Sequence, residues 1–188
     1  KNKEFFYNKK ELKFIHITKN AGTYIEDTAK KSNILFGIHH KEYGNIKNGI
    51  SPWHHIFPNV NKNVKDKYDW FMVVRNPYDR ILSEYYCLQS STSHKITDKK
   101  KMNNYLINKI KNRSKVGDHY TEQYKYLDPN YNIHIIKYEN LIPELKKLYK
   151  NYNLNIELID KKINSSKIRK FTTDDFNNDL ITLINSVY

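Results

Sequence analysis

Cysteine is almost missing from this chain. Cys87 is the only one in 188 residues, which excludes an internal disulfide framework and a cysteine-rich zinc site. Long apolar runs are missing as well. No stretch approaches the roughly 20 residues that span a bilayer, and Lys1 to Lys10 lack the apolar middle of a signal peptide. The chain therefore reads as a soluble domain, whether cytoplasmic or separated from a membrane anchor. Arginine is confined to Arg75, Arg80, Arg113 and Arg169 in a chain crowded with Lys, Asn, Ile and Tyr, the pattern that an AT-rich coding bias produces. Acidic residues are few, 20 against 33 basic, and the formal charge of +13 calls for an anionic ligand, acceptor or surface. A nucleic-acid-binding module is one reading of that charge and of the 14% aromatic content. Against it, the basic residues are scattered along the chain, with no dense arm and no recognition motif.

What is present is enough for one core. A chain of this length with 38% hydrophobic residues fits a single domain over residues 1–188, without internal repeat or linker. Short apolar runs at Leu12–Ile17, Ile34–His39, Trp70–Val74 and Asn132–Tyr138 predict strands; the continuous, β-branched third run suits a strand buried on both faces of a parallel sheet. Helical spacing predicts helices at Tyr24–Lys31, Tyr78–Leu88, Met102–Ile110 and about Ile142–Tyr152. A last helix runs to Tyr188, with Thr172 or Thr173 as its N-cap before Asp174 and Asp175. Residues 41–63 read as loop, and Gln89 to Lys101 as a polar connection. Alternating strands and helices predict an α/β fold with a mostly parallel central sheet flanked by helices.

Two strand-to-helix turns carry the chemistry. In the first, His16-Ile17-Thr18-Lys19-Asn20-Ala21-Gly22-Thr23, several backbone N–H groups and a helix N-terminus can converge on one anion, and Gly22 allows close approach. Taken alone, it is equally an ordinary turn with a surface lysine. Lys19 precedes the glycine, and no second glycine stands at the GxxxxGK[ST] spacing, so this is not a Walker motif. The second turn, Arg75-Asn76-Pro77-Tyr78-Asp79-Arg80-Ile81-Leu82-Ser83, follows a buried strand directly. That places Arg75 at the carboxyl edge of the sheet, where open α/β folds bind ligands, with Ser83 about two helical turns further on. A guanidinium gives a phosphate two parallel hydrogen bonds, which lysine cannot. Arg80 reads as a local partner of Asp79 or Glu84.

In this order the two turns resemble the phosphate loops of the sulfotransferases that use 3′-phosphoadenosine 5′-phosphosulfate (PAPS), particularly the carbohydrate and uronyl 2-O-sulfotransferase branch. The first resembles that family's HIPKTAGT loop, with Thr18 for the proline and Asn20 for the threonine; the second resembles its RNPYDRxxS signature. The resemblance implies a P-loop-like domain and in-line sulfuryl transfer to an acceptor hydroxyl, with glycans as the expected acceptors and no metal. It marks Lys19, Asn20, Ala21, Gly22, Thr23 and Tyr24 as the 5′-phosphosulfate run, Lys19 neutralising the bridging oxygen and Gly22 and Thr23 binding the 5′-phosphate. Arg75 and Ser83 would hold the 3′-phosphate. More weakly, His119 to Leu127 resembles an H-x-x-P-Q segment with Glu122 for the proline. Ile135 to Leu141 resembles a V-x-x-E-x-L strand, and Asn164-Ser165-Ser166 an N-x-S element.

Such transfer needs a proton acceptor near neutral pH, and the chain has 8 histidines. His54 and His55 lie about twenty residues before Arg75, where the uronyl branch carries its base in a GH-type turn. His54 is favoured as that base and His55 ranks second. His119 is a further candidate near the acceptor, and His16 reads as core-packed or orienting. His39-His40 and His54-His55 lack metal-ligand spacing. A P-loop nucleotide kinase is the alternative enzyme, but it would need a complete Walker motif and a magnesium-binding partner.

Overall fold

The computed structural model describes residues 9–40, 42, 52–87, 98–113, 119–158 and 170–188. Three parallel strands form one sheet in the order β1 (Leu12–Ile15), β2 (Asp69–Val74), β3 (Ile133–Lys137). Around them run α1 (Gly22–Lys31), α2 (Lys62–Lys67), α3 (Pro77–Tyr85), α4 (Lys99–Lys111), α5 (Leu141–Asn151) and α6 (Asn178–Val187). This is the expected α/β architecture.

Strand alternation sends side chains to two cores. Phe14 lies opposite Phe71 in the parallel register, their rings 4.9 Å apart. With Leu12, Val73 and Ile136 they pack against Ile25 and Ala29 of α1 and Leu145 and Leu148 of α5. The intervening residues Ile15, Trp70 and Met72 face the other way, onto Phe57 and Tyr126. A third cluster joins α3, α4 and α6 through Leu82, Leu106 and Leu180. Asn76, Asp98 and Asn177 cap those three helices with side-chain oxygens.

Two expectations fail. Ile34 to His39 does not form a strand: residues 37–39 make a 3-10 turn that begins at Gly37, whose φ is +49°. The run is apolar because Phe36 packs between Phe71 and Tyr149. A Cβ at Gly37 would collide with the Glu26 carboxylate. The cap of the last helix is also displaced. Thr172 closes a capping box with Asp175, but over a single 3-10 turn, Thr173–Asp175. Phe176 then turns into the core and Asn177 caps α6 instead. Within the expected loop at 41–63, α2 begins after the Asn61 cap. Asn164-Ser165-Ser166 and the polar connection up to Thr97 lie outside the described residues.

Candidate active site

Both turns leave the carboxyl ends of neighbouring parallel strands, β1 and β2, so the sheet itself brings them to one edge. In the first, Lys19 and Ala21 both have φ of 65°. Left-handed backbone costs an ordinary residue on the order of 1 kcal/mol and is retained mainly where a site requires it. Ala21 is the N-cap of α1, and no side chain caps that helix. Thr23 is exposed there, and Lys19 is half-buried. A lysine, a tight backbone turn and an uncapped helix N-terminus form a donor set suited to a phosphate or sulfate.

The second turn locks onto the first. Nη1 of Arg75 donates to the Lys19 carbonyl at 3.2 Å, and its guanidinium lies 4.2 Å from the Tyr138 ring centroid. Gln123 ties the two together. Its Oε1 accepts from Asn20 Nδ2 at 2.7 Å and from the Arg75 N–H at 2.9 Å, and its Nε2 donates to the Arg75 carbonyl at 2.8 Å. Arg80, buried, donates to the carbonyls of Thr18, Thr121 and His119 and to the Thr18 hydroxyl. Local pairing with Asp79 or Glu84 accounts for none of those bonds. Beside Arg75 a groove is lined by Asn76, Asp79, Lys137 and Glu139. The Asn76 N–H donates to Glu139 and is the main influence holding that carboxyl below its usual range.

The histidines form a row. The His54 ring stands edge-on to His16 at 4.7 Å between centroids and to His119 at 5.8 Å. Each outer member is held by a carboxylate: Nδ1 of His16 by Glu26 and Nδ1 of His119 by Glu84, both at 2.7 Å. A carboxylate only accepts, so Nδ1 is the donor in each pair. Nε2 of His16 borders the first turn: a Cβ added to Gly22 would stand 2.2 Å from it. Tyr126 fixes His54 by donating to its carbonyl at 3.2 Å. Burial first, then the charges of His16, His119 and His55, push the His54 pKa down to about 3.

The expected residues divide by what their side chains can still do. Lys19, Gly22, Thr23 and Arg75 sit together at the sheet edge, and Ser83 is half-buried two turns into α3. Asn20 is fully buried, its amide bonded to the Val73 carbonyl and Gln123, and the Tyr24 ring is in the core. His54 joins the row; Nε2 of His55 is buried with no hydrogen-bond partner among the described residues. Sequence reading missed Gln123 and Glu84, whose partners are 35 or more residues away, and Glu26, which meets His16 across the first turn, although the H-x-x-P-Q resemblance ends on Gln123. At the proline position of that pattern, Glu122 is buried and paired with Arg113 and Lys125.

A family model described as "Sulfotransferase family" matches residues 3–185. No curated protein and no solved structure gives a significant match.

Proposed function

The chain belongs to the sulfotransferase family, and from that premise we propose that it moves a sulfuryl group from PAPS to an acceptor hydroxyl, by in-line displacement without a covalent enzyme intermediate. One observation carries the choice of donor: the Arg75 guanidinium bonds the Lys19 carbonyl, which joins two anion-binding turns into one site. A donor with a phosphate at each end of a ribose fits two such turns, whereas AMP would use only the first. Bound there, PAPS supplies an activated sulfuryl group whose bond to the bridging oxygen breaks as the acceptor oxygen attacks sulfur.

The chain's own groups do the rest. Gly22, Thr23 and the α1 N-terminus hold the 5′-phosphate. Lys19 neutralises the electron pair left on the bridging oxygen. Arg75 and Ser83 hold the 3′-phosphate, and Arg75 is kept in place by Gln123 and Tyr138. His54 accepts the acceptor's proton. Its low pKa keeps it neutral in the free protein, and an anionic donor beside it opposes that depression, so proton affinity rises when the donor binds. The acceptor we place among glycans of the uronyl type, supported by the resemblance of both turns to that branch and by the +13 charge. The test is transfer of label from PAPS to a panel of glycan acceptors by wild type and His54→Ala. Label should reach a sugar hydroxyl with wild type alone. Transfer to tyrosine or small alcohols only would overturn the glycan assignment.

A further inference from the structure

One end of the histidine row holds a set of donors that sulfuryl transfer does not use. A carboxylate oxygen of Glu84, Sγ of Cys87 and a ring nitrogen of His119 all lie within 4.8 Å of one another. Glu84 and Cys87 are three residues apart, and the turn is continued past α3 by the Cys87 N–H donating to the Glu84 carbonyl at 2.9 Å. Both side chains thus lie on one side of the helix end. His119 is brought to them across the fold, and Arg80 anchors its main chain by bonding its carbonyl at 3.1 Å. Glu84 is 6% exposed. A buried carboxylate, a thiol and an imidazole held from two sides differ in kind from a cluster of surface acids.

We propose that Glu84, Cys87 and His119 form a site for a borderline-soft divalent cation, with zinc as the type, and that its occupancy suppresses turnover. Thiolate, imidazole and carboxylate together suit zinc, whereas hard cations prefer all-oxygen shells. Donors at about 2.0–2.3 Å from a tetrahedral zinc stand roughly 3.3–3.8 Å apart, so the Glu84–His119 pair, hydrogen-bonded at 2.7 Å, must open to admit the ion, while Cys87 Sγ, within 4.8 Å of both, draws in. Binding releases the Cys87 thiol proton and displaces the Nδ1 proton that His119 shares with Glu84. With the metal on Nδ1, the displaced proton is carried on Nε2 of the neutral imidazole, which then stands in the row as an N–H donor. The effect on turnover rests on the proposed transfer reaction; the site itself does not.

Because Cys87 is the only cysteine, a thiolate-to-cobalt charge-transfer band can come from no other residue. Titration of the whole chain with cobalt(II), followed by zinc competition, should show such a band, and zinc should bleach it. Loss of even an outer partner of a metal costs about 10- to 100-fold in affinity, so Cys87→Ser and His119→Gln should each weaken zinc by at least about tenfold. Cys87→Ser should keep metal-free turnover and the melting temperature, yet escape inhibition by zinc. Magnesium in excess should do nothing to either protein. Absence of the charge-transfer band, or unchanged zinc affinity in His119→Gln, would overturn the site. A band with no loss of turnover would leave the site standing and overturn only its inhibitory role.

Discussion

At His54, burial and the neighbouring histidines oppose the charged form, and this has a sign that can be measured. An unfolded histidine takes up a proton near pH 6.5, whereas His54 in the fold does so only near pH 3. The unfolded state therefore binds more protons as pH falls below 6.5, and the stability present at pH 7 is progressively lost down to the folded pKa. His40, pushed down to about 4 by burial and then by Lys13, acts in the same direction. The urea midpoint of wild type should thus drop more steeply between pH 7 and pH 5 than that of His54→Asn. Parallel slopes would mean that His54 is not held neutral. Chemistry at the same residues separates by variant. His54→Ala should lower turnover about 100- to 10,000-fold with nucleotide affinity intact. Lys19→Ala should depress turnover more than binding, and Arg75→Ala should mainly weaken binding. If His55→Ala carried the rate loss and His54→Ala were near wild type, the base would be His55.

Single elements show where local signals suffice and where they do not. The runs at 12–15 and 69–74 were legible as strands because burial on both faces of a parallel sheet selects apolar residues; the edge strand at 133–137 was legible from its isoleucines, although Ile135 is exposed and only Ile136 is buried. Ile34–His39 has the same composition, but Gly37 turns the chain against Glu26, a contact with no signature in its own segment. Likewise the Thr172–Asp175 capping box is real, yet burial of Phe176 restarts the helix at Asn177. The two strand-to-helix turns were legible because each is one contiguous string. Their clamp was not: Gln123 is 48 residues from Arg75 and 103 from Asn20. His119 lies 35 residues from Glu84. Gln123→Ala leaves the Arg75 amide without its partner, a penalty of about 1–3 kcal/mol. Isothermal titration should accordingly find 3′,5′-adenosine bisphosphate bound at least several-fold more weakly; unchanged affinity would remove the clamp. At Gly22 an added Cβ meets three ring atoms of His16 at 2.2–2.6 Å. Gly22→Ala should cost about 1–3 kcal/mol in a urea melt, and a neutral result would show that the His16 ring is free to move.

For the molecule as a whole, charge and fold leave several functions open and the joined site narrows them. A charge of +13 suits nucleic acid, an anionic glycan or nothing in particular. A kinase reading shares the sheet edge and the anion-binding turns. The pairing of Lys19 and Arg75 through one hydrogen bond, with Gln123 bonded to Arg75, is the feature on which the proposal of a ligand with two separated phosphates rests. Thermal melting with 3′,5′-adenosine bisphosphate against AMP tests that demand most directly. A ligand at about 100 times its dissociation constant stabilises the fold by about 2.7 kcal/mol, a readily measured shift. The bisphosphate should raise the melting temperature of wild type far more than AMP at equal concentration, and Arg75→Ala should erase the difference. Equal shifts with the two nucleotides would contradict the PAPS assignment.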